Sequence, residues 1–244
     1  MDTIAHGGDG AIRTTNVGVL DRSVALLELL ADGPRSLRWL SDRSGLPRPT
    51  AHRLLVALVA HGLVGRDATG AFRLGPRLAE LAFRANPTLD LATLADPVLA
   101  RLHDATGESV QLYVRSGDKR LCIAARDSGT GLRDSVPVGA LLPLAAGSGG
   151  KVLLAWAADA SRFTVPVSEL SGIRERGWAA TVAEREQGLA SVSAPVFRPD
   201  GTVAAAVCVS GPVTRLGQAP GRRFSPAVVG AAGELAAELA AGVR

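Results

Sequence analysis

The chain has 244 residues, 47% of them hydrophobic and only 4% aromatic, enough for one or two domains with aliphatic cores. No apolar run reaches the ~18 residues that a membrane span requires, and the polar stretch "MDTIAHGGDGAIRTTN" has no signal-peptide core, so a cytoplasmic protein with a disordered leader over residues 1–16 is expected. Cys122 and Cys208 lie far apart in apolar runs and read as reduced, buried thiols. The scattered histidines (His6, His52, His61, His103) give no zinc spacing, so neither a metal nor a cofactor is expected.

The net charge of +4 is unevenly placed. Nine arginines from Arg35 to Arg84 face only Asp42, Asp67 and Glu80, a balance of +6, whereas residues 1–34 stand at −3 and the remainder at +1. Arginine rather than lysine in this block favours forked contacts to phosphate and guanine.

In "LDRSVALLELLADG", Leu20, Val24, Leu27 and Ala31 recur at helical spacing and predict a first helix, stopped by Gly33-Pro34. "SLRWLSDRSG" predicts a short second helix with Ser36 as N-cap, Gly45 at its end, and Leu37 and Leu40 inward. The third, in "LPRPTAHRLLVALVAHGLV", has a buried stripe of Ala51, Leu54, Leu55, Leu58 and Val59. Its polar residues Arg48, Thr50, His52 and Arg53 crowd the first turns. That polarity suits a helix-turn-helix, whose second helix probes the major groove with its N-terminal turns while its remainder packs on the protein. "LVGRDATGAFRLG" then predicts a hairpin with Val64, Phe72 and Leu74 apolar and Arg66 and Arg73 flanking the turn, as a wing against the DNA backbone requires. Residues 17–75 thus form an expected winged helix, the competing use of which is contact with another protein.

"PRLAELAFRA" begins on a favoured helix-starting proline and carries Leu78, Leu81 and Ala82 on one stripe, so residues 76–88 are expected to be a linker helix ended by Asn86-Pro87. Residues 89–244 form the second expected domain. A helix from about Leu89 to Thr106 buries Leu91, Leu94, Ala95, Val98 and Leu102. Strands follow: a hairpin around Ser116-Gly117-Asp118, another strand in "DSVPVGALLPL", a helix in "GSGGKVLLAW", a second hairpin across "PDG", and a closing helix from about Ser225. The whole is α+β, an antiparallel sheet flanked by helices. "GSGGK" is too short for a phosphate-binding loop and no nucleophile elbow is present, so no enzyme is expected. Small polar groups on apolar segments (Ser148, Gly149, Ser191, Ser193, Cys208 and Ser210) are the candidates for holding a small ligand.

The motifs "GLPRPTAHRLLVALVAHGLV", "FRLGPRLAELA", "TGESVQLYVRSGD", "GLASVSAPV" and "AAVCVSGPVTRL", in that order, resemble IclR-type transcriptional regulators from about Val17 to the C-terminus. Within the family, "GLRDSVPVG" and "RGWAATVAEREQGLASVSAPV" are most similar to the NdgR-like actinobacterial branch, regulators of amino-acid biosynthesis. The resemblance implies a winged helix, a linker helix used in dimerisation, and a GAF-like C-terminal domain binding an effector, often a carboxylate metabolite or amino acid. It also implies homodimers or tetramers on palindromic double-stranded operators. Carried over by motif, Arg48, Thr50, His52 and Arg53, with Arg38, Arg66 and Arg73, are DNA-binding residues; Ser148, Gly149, Thr181, Ser191, Cys208 and Ser210 are effector-binding residues. Pro49 stands where many members have Ser, and Ala145 where His is common.

Overall fold

The computed structural model describes residues 15, 17–85, 88–129 and 134–241. The leader expected over 1–16 falls outside them except for Thr15, as do the break at residues 86–87 and residues 131–133 of the motif "GLRDSVPVG". The chain divides into two compact units between residues 86 and 87.

The first unit runs α1 (Gly18–Leu29), α2 (Leu37–Ser44), α3 (Arg48–Ala60), β1 (Val64–Arg66), β2 (Phe72–Leu74) and α4 (Pro76–Ala85). Its core joins Leu26, Leu29, Leu30, Leu40, Leu54, Leu55, Leu58, Val64 and Phe72. The buried face of α1 differs from the expected stripe. Leu20 and Val24 are 54% and 39% exposed, Ala31 is exposed and Leu27 only partly covered, while Ala25, Leu26 and Leu29 point inward. The run "VALLELLA" is apolar nearly all round, so periodicity admits two stripes and tertiary packing selects the second. Val59, 36% exposed, also departs from the expected buried stripe of the third helix.

Local chemistry fixes the joints between these elements. The Ser36 hydroxyl accepts a 3.3 Å hydrogen bond from the Trp39 N–H, capping α2, and Gly45 ends it in the left-handed conformation at φ 68°. Pro47 occupies the N-cap position of α3 without a side-chain capping bond, and Pro49 sits in its first turn, where a missing N–H costs nothing. In the wing, Val64 pairs with Leu74 and Arg66 with Phe72, and the Arg35 and Phe72 backbones exchange two 2.8 Å hydrogen bonds. The Asp67 carboxylate accepts from the Thr69 hydroxyl and N–H and from the Ala71 N–H. The Thr69 hydroxyl above all holds its pKa below the usual carboxylate value.

The second unit begins with α5 (Thr88–Thr106), β3 (Ser109–Ser116), β4 (Lys119–Arg126), β5 (Leu141–Pro143) and α6 (Ser148–Ala155). It continues through α7 (Val167–Arg176), β6 (Ala179–Val182), β7 (Leu189–Phe197), β8 (Val203–Pro212), α8 (Val213–Leu216) and α9 (Pro220–Ala241). One antiparallel sheet in the order β5-β4-β3-β8-β7-β6 is covered on both faces. Strand alternation sends Val110, Leu112, Val192, Val207 and Val209 to the α5 and α9 side, where Leu91, Val98, Leu102, Val228 and Leu235 meet them. It sends Tyr113, Cys122, Ala206 and Cys208 to the α6 and α7 side.

The elements α7, β6 and α8 have no counterpart in the sequence reading. Only Leu170 and Ile173 of α7 are buried, and β6 is a four-residue edge strand, so neither carries a strong period. The strand expected in "DSVPVGALLPL" reduces to Leu141–Pro143. The closing helix starts at Pro220, before the expected Ser225, because its first turn "PGRR" is polar outward while Gly221 presses on Trp178. Among the described residues no helix is long and apolar enough to cross a membrane.

Candidate nucleic-acid interface and ligand site

The first turns of α3 present Arg48, His52 and Arg53 to solvent, with Thr50 half-buried between them. The trailing turns are held by Leu54, Leu55 and Leu58 in the core. A shallow cleft of about 290 Å³ separates the start of α2, α3 and the wing, lined by Ser36, Leu37, His52, Arg66, Thr69 and Phe72. The recognition-helix position and the wing therefore share one face. The Arg66 guanidinium lies 4.5 Å over the Phe72 ring, which props it at the cleft. Arg73 is exposed on the adjacent strand, and its stem crosses Gly65. Arg38 on α2 is 86% exposed at its side chain, with only a 3.9 Å ion pair to Asp42, a contact too solvated to hold it.

The second site is a polar patch in the interior of the sheet domain. Ser148, fully buried at the start of α6, shares its hydroxyl with Ser191 (2.7 Å) and Ser193 (2.8 Å), while its N–H donates 3.1 Å to the Thr181 hydroxyl. Thr181 and Ser191 are 3.0 Å apart, closing a four-hydroxyl cluster from α6, β6 and β7. Cys208 is the cross-strand partner of Ser193, and burial pushes its thiol above the ordinary value. Ser210 stands in register with Ser191 on the same face but donates 3.1 Å to the side-chain Oε1 of Gln111. Gly149 is needed for packing: a Cβ there would meet the Tyr113 ring at 3.0 Å.

Around this patch lie charged groups that the sequence reading did not single out. Arg120 is 3% exposed and donates from Nη1 to the Pro143 and Ala146 carbonyls, with its head 5.0 Å over the Tyr113 ring. Burial holds its pKa below the usual guanidinium value, and burial raises the Tyr113 phenol well above its own. Asp134, 7% exposed, accepts a 2.5 Å bond from Arg185. Arg120 shares strand parity with buried Cys122, and that alternation was the available signal. Nothing local marks Asp134 or Arg185.

Behind the hydroxyls, the Lys151 ammonium is 2.7 Å from both Glu169 of α7 and Glu184 of the β6–β7 turn. Burial opposes its charge, but the two carboxylates outweigh that and raise its pKa. Lys151→Met leaves two carboxylates facing each other. Because they are 33% and 30% exposed, the expected loss is about 1–3 kcal/mol, less than the ~3–5 of a fully buried broken pair, read by urea unfolding.

An exposed basic helix-turn-helix with a wing, carried on one chain with a sheet domain holding an interior polar site, defines a DNA-binding regulator of two functional parts. The chain belongs to the IclR family of transcriptional regulators: residues 19–68 match the IclR helix-turn-helix domain, and residues 84–164 and 167–237 match the bacterial transcriptional regulator IclR C-terminal domain. It is 33% identical to the HTH-type transcriptional regulator BhcR of Paracoccus denitrificans, over 96% of this chain and 91% of the relative. A regulator structure from Rhodococcus, described there as putative, superposes with a TM-score of 0.75 at 26% identity, covering 93% of this chain and all of the other. An IclR homologue from Microbacterium hydrocarbonoxydans, solved in complex with 4-hydroxybenzoate, gives the same TM-score and identity over 90% of this chain and 99% of its own.

Proposed function

We propose that the protein binds palindromic operators as a homodimer or tetramer in the cytoplasm, and that a small metabolite in the sheet domain sets its affinity for DNA. In this reading Arg48, Thr50, His52 and Arg53 enter the major groove, and Arg38, Arg66 and Arg73 contact phosphates. Paired recognition helices then engage half-sites about one DNA turn, or a multiple, apart. The carrying observation is the solvent-facing cationic start of α3 beside the wing, in a chain of this family. Residues 76–88 serve as the linker used in dimerisation.

The effector occupies the patch of Ser148, Gly149, Thr181, Ser191, Cys208 and Ser210, and is an amino acid or other carboxylate metabolite. The hydroxyl cluster supplies adaptable donors and acceptors in an apolar surround, which is how small ligands are fixed. The 4-hydroxybenzoate complex of the Microbacterium homologue supports a small acid. The effector is sensed and released unchanged. It controls the operator complex only through unequal affinity for the DNA-competent and DNA-incompetent arrangements.

A thermal-shift screen of amino acids, oxo acids and aromatic acids tests this. A true effector at 100 times its dissociation constant stabilises the fold by about 2.7 kcal/mol. Adding that compound to a gel-shift assay with DNA from upstream of the gene should change operator affinity. A compound that stabilises the protein and leaves DNA binding untouched would refute effector control.

A further inference from the structure

We propose that Arg120 reads the charge of the ligand, so that the site selects small carboxylate-bearing molecules over their neutral analogues. The inference rests on the sheet-domain patch being the ligand site and adds to it a residue from outside the hydroxyl cluster.

Arg120 is a buried cation without a countercharge. Among the described residues it makes no ion pair, and its nearest helpers are two backbone carbonyls and the Tyr113 ring. An interior charge left without an opposite partner is costly, and proteins keep such a group where something else completes it. Its buried Nε has no hydrogen-bond partner at all. Nη1 is spent on carbonyls, so the unused edge of the guanidinium is the Nε side, one of the edges through which arginine forks a carboxylate.

The position fits a ligand bound at the hydroxyls. A Cβ placed on Gly147 would lie 3.2 Å from Arg120 Nη2, so this nitrogen rests against the residue preceding Ser148. Gly147 has φ 81°, and the lack of a side chain there keeps the guanidinium beside the start of α6. The first N–H groups of that helix favour the same sign of ligand charge. Arg185 also borders Gly147, its Cβ 3.9 Å from the same built position, but its charge is matched by Asp134. The carboxylate of Asp134 is committed to Arg185 at 2.5 Å and leaves Arg120 uncompensated. A ligand carboxylate supplies what the fold withholds.

Calorimetric titration of the full chain with matched pairs decides the matter: pyruvate and pyruvamide, leucine and leucinamide, 4-hydroxybenzoate and 4-hydroxybenzamide. At least one acid should bind wild type about tenfold or more tightly than its amide, the order expected of a charge-assisted bond. Arg120→Gln should abolish that preference, and Arg120→Lys, which keeps a point charge, should retain part of it. Three results would overturn the proposal: amides that bind as well as their acids in every pair that binds, no acid that binds at millimolar concentration, or a preference that survives in R120Q. Should R120Q not fold, the wild-type ratio and R120K decide it. Ligand-free operator binding, measured on the same samples, separates the two readings. Its absence sinks the regulator assignment, whereas intact DNA binding without acid preference sinks only the role of Arg120.

Discussion

Operator binding should weaken by roughly 10³–10⁵-fold between about 50 and 200 mM salt, if the assembled protein contacts some 6–10 phosphates. The cause is release of condensed counterions from the duplex, and the supply of cations is visible on the winged helix: Arg38, Arg48, Arg53, Arg66 and Arg73 are all exposed. Two substitutions divide the effect. Arg53→Ala, in the solvent-facing first turns of α3, should cost roughly 1–3 kcal/mol on the correct site and relax discrimination at one base pair. Arg66→Ala should weaken all sequences alike and lower the salt slope by about one per bound wing. Fluorescence anisotropy with an operator and a scrambled duplex measures both. A flat salt response would favour a winged helix that docks on protein, and an Arg53→Ala variant that weakens every sequence equally would move Arg53 to the phosphate contacts.

The outline of this molecule was legible where one physical signal dominated. In α3, the polar start and the Ala51, Leu54, Leu55, Leu58 stripe appear in the structure as read. The two hairpins of the sheet were marked by turn residues and by strands rich in β-branched side chains. Legibility failed where several packings fit one sequence. The helix α1 is apolar on too many sides to reveal its core face, and β6 is too short for alternation to register. The interior hydroxyl patch divides the same way. Ser148, Ser191 and Ser193 stand out as hydroxyls in apolar runs, and the fold gathers them with Thr181. Arg120, Asp134 and Arg185 come from separate parts of the chain, and only sheet topology and an irregular loop make them neighbours. Ionic residues are common on surfaces, so their sequence context carries no mark of burial.

Gly150→Ala is expected to destabilise the sheet domain by about 3 kcal/mol or more, the upper end for overpacking. Helix propensity alone gives the opposite sign, since Ala is favoured over Gly by about 1 kcal/mol within a helix. Packing decides. A Cβ on Gly150 would lie 2.1 Å from the Leu144 carbonyl oxygen and 2.8 Å from Arg120 Nη1. Neither neighbour can yield cheaply: Leu144 is 1% exposed in the core, and Arg120 holds the Pro143 and Ala146 carbonyls on either side of it. Relief would have to move the start of α6, and with it Ser148 and the hydroxyl cluster. The same substitution at Gly230 or Gly233 of α9, both exposed with open space beyond the missing Cβ, should instead stabilise by about 0.4–1 kcal/mol. Urea unfolding of the three variants reads the contrast directly. If G150A unfolds like the α9 variants, the loop carrying Leu144 is free to withdraw from the helix, and Arg120 is not held where the ligand-charge argument needs it.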